Sequence, residues 1–191
     1  MSEIKKVTLP LDDDTAASLR AGDIVLLTGK ILVGRDAAHK RIAATLAAGG
    51  APPFSIENEV LYYAGPAPTP PGAVIGPIGP TTSGRMDPYT PLLLSKGLRG
   101  MIGKGMRSGE VLEAIRQYKA VYFGATGGTA VLLADSVKAS EKVAYEDLGP
   151  EAVLRLTVCD MPLVVLADCH GGNLYESGPE EVRKTFLQPG V

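Results

Sequence analysis

Three basic side chains sit in sequence settings suited to gripping an anion. Arg35 follows an apolar run in LVGRDAAHKR, at the start of an expected helix whose free amide groups already favour negative charge. Lys104 lies in IGKGMRSG, where the flanking glycines let backbone amides and an ammonium approach a ligand closely. Arg85 lies in GPTTSGRMDPYTP (79–91), beside three adjacent hydroxyls, Thr81, Thr82 and Ser83. Between residues 85 and 107, Arg85, Lys96, Arg99, Lys104 and Arg107 stand against Asp87 alone, in a chain whose net charge is -2. Such a set suits a small anion with more than one carboxylate: arginine can offer each carboxylate two parallel hydrogen bonds, and lysine adds a point charge. The competing reading is a solvated basic face with no ligand.

Other constellations carry less. Asp168, Cys169 and His170 are adjacent in DCHGG, but neighbouring strand residues point to opposite faces, so the three do not converge on a metal, and no metal site is expected. GATGGTA has the glycines of a phosphate cradle without its lysine or the dinucleotide spacing, and reads as a turn. His39 is expected on the solvent side of its helix, and no Ser-His-Asp arrangement can be read from spacing. The basic residues are not interleaved with stacking aromatics, which argues against nucleic acid.

The segments that must hold these residues alternate in character. Residues 79–91 cannot form a regular helix, because Pro80 and Pro88 lack amide donors and Gly79 and Gly84 cost backbone entropy, so a shaped loop is expected. DIVLLTG (23–29) reads as a buried strand ended by glycine. The following RDAAHKRIAATLAAGG reads as a helix, with Ala38, Ile42 and Leu46 on one face and a Gly-Gly stop. VLYYAG reads as β structure, and PAPTPPGAVIGPIGP as turns, extended chain and an edge strand. YTPLLLSKGL reads as a short helix, GMIGKG as a strand, SGEVLEAIRQYK as a helix capped by Ser108, AVYFGATGG as a strand entering a turn and TAVLLADSVK as a helix. AVLRLTVCDMPLVVLAD reads as two β segments broken at Met161-Pro162, and SGPEEVRKTFL as a helix with Ser177 and Glu180 at capping-box spacing. The sum is an α/β protein with a mixed sheet covered by helices.

With 191 residues, one domain spanning 1–191 is expected. No apolar run is long enough to cross a bilayer and MSEIKKVTLP lacks the apolar core of a secretion signal, so a cytoplasmic protein is expected. Cys159 and Cys169, the only cysteines, lie in or beside an apolar run and read as buried thiols rather than a disulfide. Two thiolates fall short of the three or four that an iron-sulfur cluster usually takes, so any cluster involved must be held by another chain.

GPTTSGRMD, with VLLTGKILVGRDAAHKRI before it and GLRGMIGKGM after it, resembles the β subunit of class I (iron-sulfur) fumarate hydratase and of the related L-tartrate dehydratase. The likeness covers roughly residues 20 to 170, with three motifs in the same order. It implies a swivelling β/β/α domain and a hydro-lyase that adds water reversibly across fumarate to give L-malate. It implies a [4Fe-4S] cluster held by a separate α subunit, hence a hetero-oligomer, with a homodimer of this chain as a further option. By the same resemblance, Arg35 and Arg85 are substrate-carboxylate arginines, Lys104 is a substrate-contacting lysine, and Thr81 exchanges the proton on the carbon next to the carboxylate. The alternatives are an L-tartrate dehydratase β subunit, a threonine that only hydrogen-bonds substrate or backbone, and a non-catalytic dicarboxylate-binding or assembly module.

Overall fold

The computed structural model describes residues 3–126 and 128–186. Seven strands, β1 (Lys5–Thr8), β2 (Ile24–Val33), β3 (Val60–Tyr62), β4 (Gly100–Gly103), β5 (Val121–Gly124), β6 (Val137–Ala144) and β7 (Val153–Ala167), form one mixed sheet. Among the described residues five α-helices connect strands, α1 (Asp13–Ser18), α2 (Asp36–Ala47), α3 (Thr90–Ser95), α4 (Gly109–Gln117) and α5 (Ala130–Asp135), and α6 (Leu174–Phe186) follows β7. The strands β2, β3, β4 and β5 run parallel in that order, and β7 runs antiparallel to both β5 and β2. The sheet therefore closes on itself, which leaves β1 and β6 as its lateral extensions.

Alternation along the short parallel strands builds two cores. Val60, Tyr62, Ile102, Val121 and Phe123 point inward and pack with Leu156, Val158 and Val165 of the antiparallel layer. Leu61, Met101 and Tyr122 point outward and are covered by Ile42 of α2, Leu93 and Leu94 of α3, and Val111 and Ile115 of α4. Strands buried on both faces read as continuous apolar runs, as these do. The layering is β/β/α, and the mixed, helix-covered sheet expected from the sequence is what forms.

Several local expectations change. Gly29 does not end β2; it adopts φ 138 at a register shift opposite β7, a Cβ there would collide with Leu9, and the strand runs on to Val33. Residues 153–167 are one strand rather than two, because Pro162 is placed where no amide is missed. Val165 N donates to Asp23 O of the β2 side, so by alternation Pro162 turns its nitrogen to the other edge, between the last β6 pair at Val158 and the first β5 pair at Val164. The proline-rich segment forms no strand among the described residues, only a bridge from Ala64 to Pro80. α5 stops at Asp135, since Val137 already belongs to β6. α6 begins at Leu174, with the Asn173 side chain accepting from Tyr175 N at 3.2 Å, so Ser177 lies inside the helix rather than capping it. Gly127 of the 124–130 turn and Leu187 lie outside the described residues.

Hydrogen bonds hold the loop from 63 to 90 together and pin it to strand ends. Ala67 N donates to Pro77 O (2.9 Å), Tyr62 OH to Ile78 O (2.9 Å) and Thr81 N to Tyr63 O (2.7 Å). Thr82 then bridges to Lys104, and Ser83 N donates to Lys104 O at 2.9 Å. The chain thus crosses the ends of β3 and β4. Ser83 is fully buried over Gly103, where a Cβ would run into its hydroxyl. Tyr122 OH lies 2.9 Å from both Ser83 Oγ and Gly105 O.

Overpacking this contact should cost about 1–3 kcal/mol in Gly103→Ala, measured by urea unfolding. Adding Ser83→Gly should recover much of the loss, because the clashing side chain is then gone. An unchanged unfolding midpoint in Gly103→Ala would show that the close approach is not a constraint.

Candidate functional site

Because β2, β3, β4 and β5 are parallel, their C-terminal ends share one edge, where the loops that follow them meet. Arg35, Thr81, Arg85 and Lys104 all come to that edge. Arg35 stands two residues after β2, Gly65 three after β3, and Lys104 directly after β4. Thr81 and Arg85 are carried over the same ends by the pinned loop.

Arg35 is the N-cap residue of α2, and its guanidinium lies against Gly65, where a Cβ would sit 3.5 Å from it. Arg35 Nη2 donates to Glu151 Oε1 at 2.9 Å, whereas Nε is buried with no partner. The other oxygen of Glu151 accepts from Ala37 N at 2.8 Å, so an internal carboxylate occupies the positive end of α2. Arg85 Nη2 lies 3.1 Å from Thr81 Oγ1 and 3.1 Å from Asp36 Oδ2. Asp36 directly follows Arg35 in the first turn of α2, so both arginines meet that one turn. The arrangement is open: Arg85 exposes 51% of its side chain, and Lys104 is exposed. Beside it, Lys104 lines a cleft of about 360 Å³ together with Thr126, Leu166, Leu174 and Tyr175. Tyr175 OH accepts from Gly105 N at 2.9 Å.

The rest of the basic run disperses. Arg107 is buried, donating to Asp87 (2.7 Å) and Thr90 (2.8 Å), with the Tyr63 and Tyr122 ring centres at 5.3 and 4.9 Å. Asp87 also accepts from Ser108 N at 2.7 Å, so this ion pair ties the loop to the start of α4. Arg99 pairs with Asp13 and donates to Tyr118 O. Lys96 caps α3 near the opposite ends of the strands. Only Arg85 and Lys104 of the five serve the edge.

His39 is corrected outright. It is fully buried, with Nδ1 3.0 Å from Arg35 O and its ring edge-on to Tyr63 at 5.0 Å. Residues 35, 38, 39 and 42 form one stripe at helical spacing, which was the signal available in the sequence. Burial, partly offset by the Arg35 carbonyl, pushes its pKa down to about 4, so the imidazole is neutral near pH 7.

The DCHGG segment is a turn built on Asp168. Burial works against its charge, but the amides of Ala21, Gly172 and His170, at 2.7, 2.9 and 2.8 Å, outweigh this and hold its carboxyl below the usual range. Cys159 and Cys169 are free thiols but not buried ones: Cys159 is exposed and Cys169 half-buried, because the chain leaves regular pairing beside Asp160 (φ 49) and after β7. No group of three or more His, Cys, Asp or Glu side chains able to hold a metal ion occurs among the described residues. This donor set does not fit an iron-sulfur cluster.

The sequence pattern of the family described as "Fumarase C-terminus" matches residues 1–178. The chain belongs to the fumarase C-terminal family. It is 44% identical over 152 residues to "Fumarate hydratase class I, anaerobic" of Escherichia coli (strain K12), covering 78% of this chain and 28% of that protein. It is 39% identical over 170 residues to "Putative L(+)-tartrate dehydratase subunit beta" of Methanocaldococcus jannaschii, covering 86% and 87%. It is 35% identical over 194 residues to "Putative fumarate hydratase class I" of Geobacillus stearothermophilus, covering 98% and 36%. This fumarase C-terminal chain therefore spans about a third or less of the fumarate hydratases it matches, and most of the tartrate dehydratase subunit. No helix among the described residues is long and apolar enough to cross a membrane.

The pH dependence of stability should carry the mark of His39. Between pH 6.5 and about 4 the unfolded chain binds a proton that the folded chain refuses, so stability present above 6.5 is lost as pH falls. The loss by pH 4.5 should be on the order of 2–3 kcal/mol. Urea unfolding at pH 7 and 4.5 should show this slope in the native chain and lack it in His39→Gln. Equal slopes would contradict the neutral, buried imidazole.

Proposed function

We propose that this chain is the substrate-gripping β subunit of an iron-sulfur hydro-lyase that hydrates fumarate reversibly to L-malate, acting as one domain in the cytoplasm. The observation that carries the reading is the meeting of two arginines from separate loops at one turn of α2, with Arg85 bonded to Thr81. A C4 diacid needs two carboxylate grips a few ångströms apart. Arg35 offers its unpartnered Nε with Nη2 to one carboxylate, Arg85 takes the other, and Lys104 adds charge beside them. Four groups held in advance at the strand ends and on the loop that crosses them can lower a barrier by several kcal/mol (roughly 7–11 in well-oriented systems).

Thr81 exchanges the proton on the carbon next to the carboxylate. A free hydroxyl is a weak base, and the guanidinium that donates to its oxygen makes the deprotonated form accessible. The group that protonates the departing hydroxyl, and the cluster itself, belong to a separate α subunit that closes the open edge. The cysteines of this chain do not suit a cluster, and Arg85 and Lys104 are left facing solvent. A second reading, the β subunit of an L-tartrate dehydratase, is favoured by the length match with the Methanocaldococcus jannaschii protein, which is covered over 87% of its length. The two substrates share the two-carboxylate frame and differ by a hydroxyl.

Reconstitution with the cluster-bearing chain, without oxygen, separates these readings. Fumarate turnover supports the first, turnover of tartrate alone the second, and turnover of no dicarboxylate leaves a binding or assembly module. Arg85→Lys should lower kcat/KM about 100-fold through loss of planar two-point contact, and near-normal kinetics would remove Arg85 from the site. Iron analysis of the isolated chain should find none in stoichiometric amount; four irons per chain would overturn assignment of the cluster to the partner.

A further inference from the structure

The Arg35 guanidinium and the first turn of α2, which the proposed reading gives to a substrate carboxylate, are already in contact with a carboxylate of the chain itself. Glu151 Oε1 takes Arg35 Nη2 at 2.9 Å, and Oε2 takes Ala37 N at 2.8 Å. We propose that Glu151 is an affinity-setting residue, an internal anion that competes with the substrate's carboxylate for Arg35 and must swing away when substrate binds. This inference rests on the dicarboxylate reading of the site.

Three observations support exchange over permanent pairing. First, the grip is incomplete. Arg35 Nε stays buried without a partner, so Glu151 uses one donor of a guanidinium that can hold a carboxylate by two. An incoming carboxylate that takes Nε and Nη2 together satisfies a group that Glu151 leaves unsatisfied.

Second, the segment carrying Glu151 is lightly held. Glu146–Glu151 buries no side chain and rests on α2 through the exposed pair of Arg41 with Asp147, whose two bonds are 2.7 Å each, besides Glu151 itself. Segments with few buried apolar contacts open at low cost. Third, the segment has hinge points at or near its ends. Tyr145 adopts φ 57, its ring held by Phe54 and Arg41, and Gly149 adopts φ 56 with ψ -118. Gly149, two residues before Glu151 and outside β7, gives the strap a point about which Glu151 can turn from Arg35.

Asp36, the internal partner of Arg85, behaves differently. Its backbone belongs to the first turn of α2 and its carboxylate meets the same Arg85 Nη2 that donates to Thr81, so it orients that arginine toward Thr81. One arginine is thus held in place and the other is held closed. A strap that covers Arg35 nine-tenths of the time weakens apparent affinity about tenfold, the inverse of the open fraction.

The test is calorimetric titration of the full chain, alone and reconstituted, with L-malate and fumarate. Glu151→Gln, which keeps the shape and removes the charge, should tighten binding about tenfold. Arg41→Gln, which loosens the strap without touching Arg35, should tighten it in the same direction and guards against a local defect in the first variant. Hydrogen exchange of amides 146–151 in the native chain should rise when L-malate is added. Unchanged or weaker binding in both variants, with binding still lost in Arg35→Ala, would overturn the competitor role and leave the dicarboxylate site standing. Failure of every form to bind either diacid would overturn the inference together with the reading beneath it.

Discussion

The contact between Ser83 and Gly103 is the constraint from which the site follows. Thr81 and Arg85 lie on a stretch with no strand and only one short 3-10 turn, Ser83–Met86, so nothing regular fixes their direction. The fixing comes from below. Gly103 ends β4 without a side chain, Ser83 drops into the space, and Tyr122 from β5 holds the hydroxyl. Once Ser83 is set, the backbone on either side has one path: Thr81 N reaches Tyr63 O at the end of β3, and Ser83 N reaches Lys104 O at the end of β4. Burial of Arg107 between two tyrosines, with Asp87 as its counter-charge, clamps the far end of the same loop. A buried pair of this kind is weak evidence for stability, but breaking it would strand a charge in the core, so it fixes position strongly.

Much of this was legible in the chain. The short apolar runs bounded by glycine, the amphipathic helices and the Ser108 cap, whose Oγ accepts from Val111 N at 3.3 Å, depend on local chemistry and form as read. What failed to read locally was decided by distant neighbours. Gly29 looks like a stop until Leu9 is packed against it, and Pro162 looks like a break until one knows that its edge of β7 is unpaired at that point. His39 could have been placed from helical spacing. Glu151 could not, because 116 residues separate it from Arg35 and nothing local marks it as a partner.

The site divides similarly. The motifs mark Arg35, Thr81, Arg85 and Lys104 as candidates, since their glycine and proline settings announce shaped backbone, and the fold brings these four to one edge. They do not say which of the nearby cations are spent on structure. Of five basic residues between 85 and 107, the buried Arg107 and the partnered Arg99 stabilise the scaffold, so the apparent basic patch overstates the charge available to a ligand. Counting charges along a chain cannot separate these roles, because burial and counter-charge are tertiary facts.

A consequence for electrostatics follows from that division. Arg35, Arg85 and Lys104 bring three positive charges to the edge, and Glu151 and Asp36 return two negative ones. On the proposed reading, a dianion arriving at this edge would meet a field set less by the number of cations than by whether Glu151 stands against Arg35. With both carboxylates in place, the attraction felt across solvent is small, since exposed pairs in water are worth little. Under the proposed function, selectivity for a diacid would arise at close range, from the planar geometry of guanidinium donors and the donor that Arg35 keeps unpartnered. A monoacid could satisfy Arg85 or Arg35 but not both. On the proposed reading, only a ligand with two carboxylates at the right separation engages both loops at once, which makes recognition a matter of spacing before it is a matter of charge.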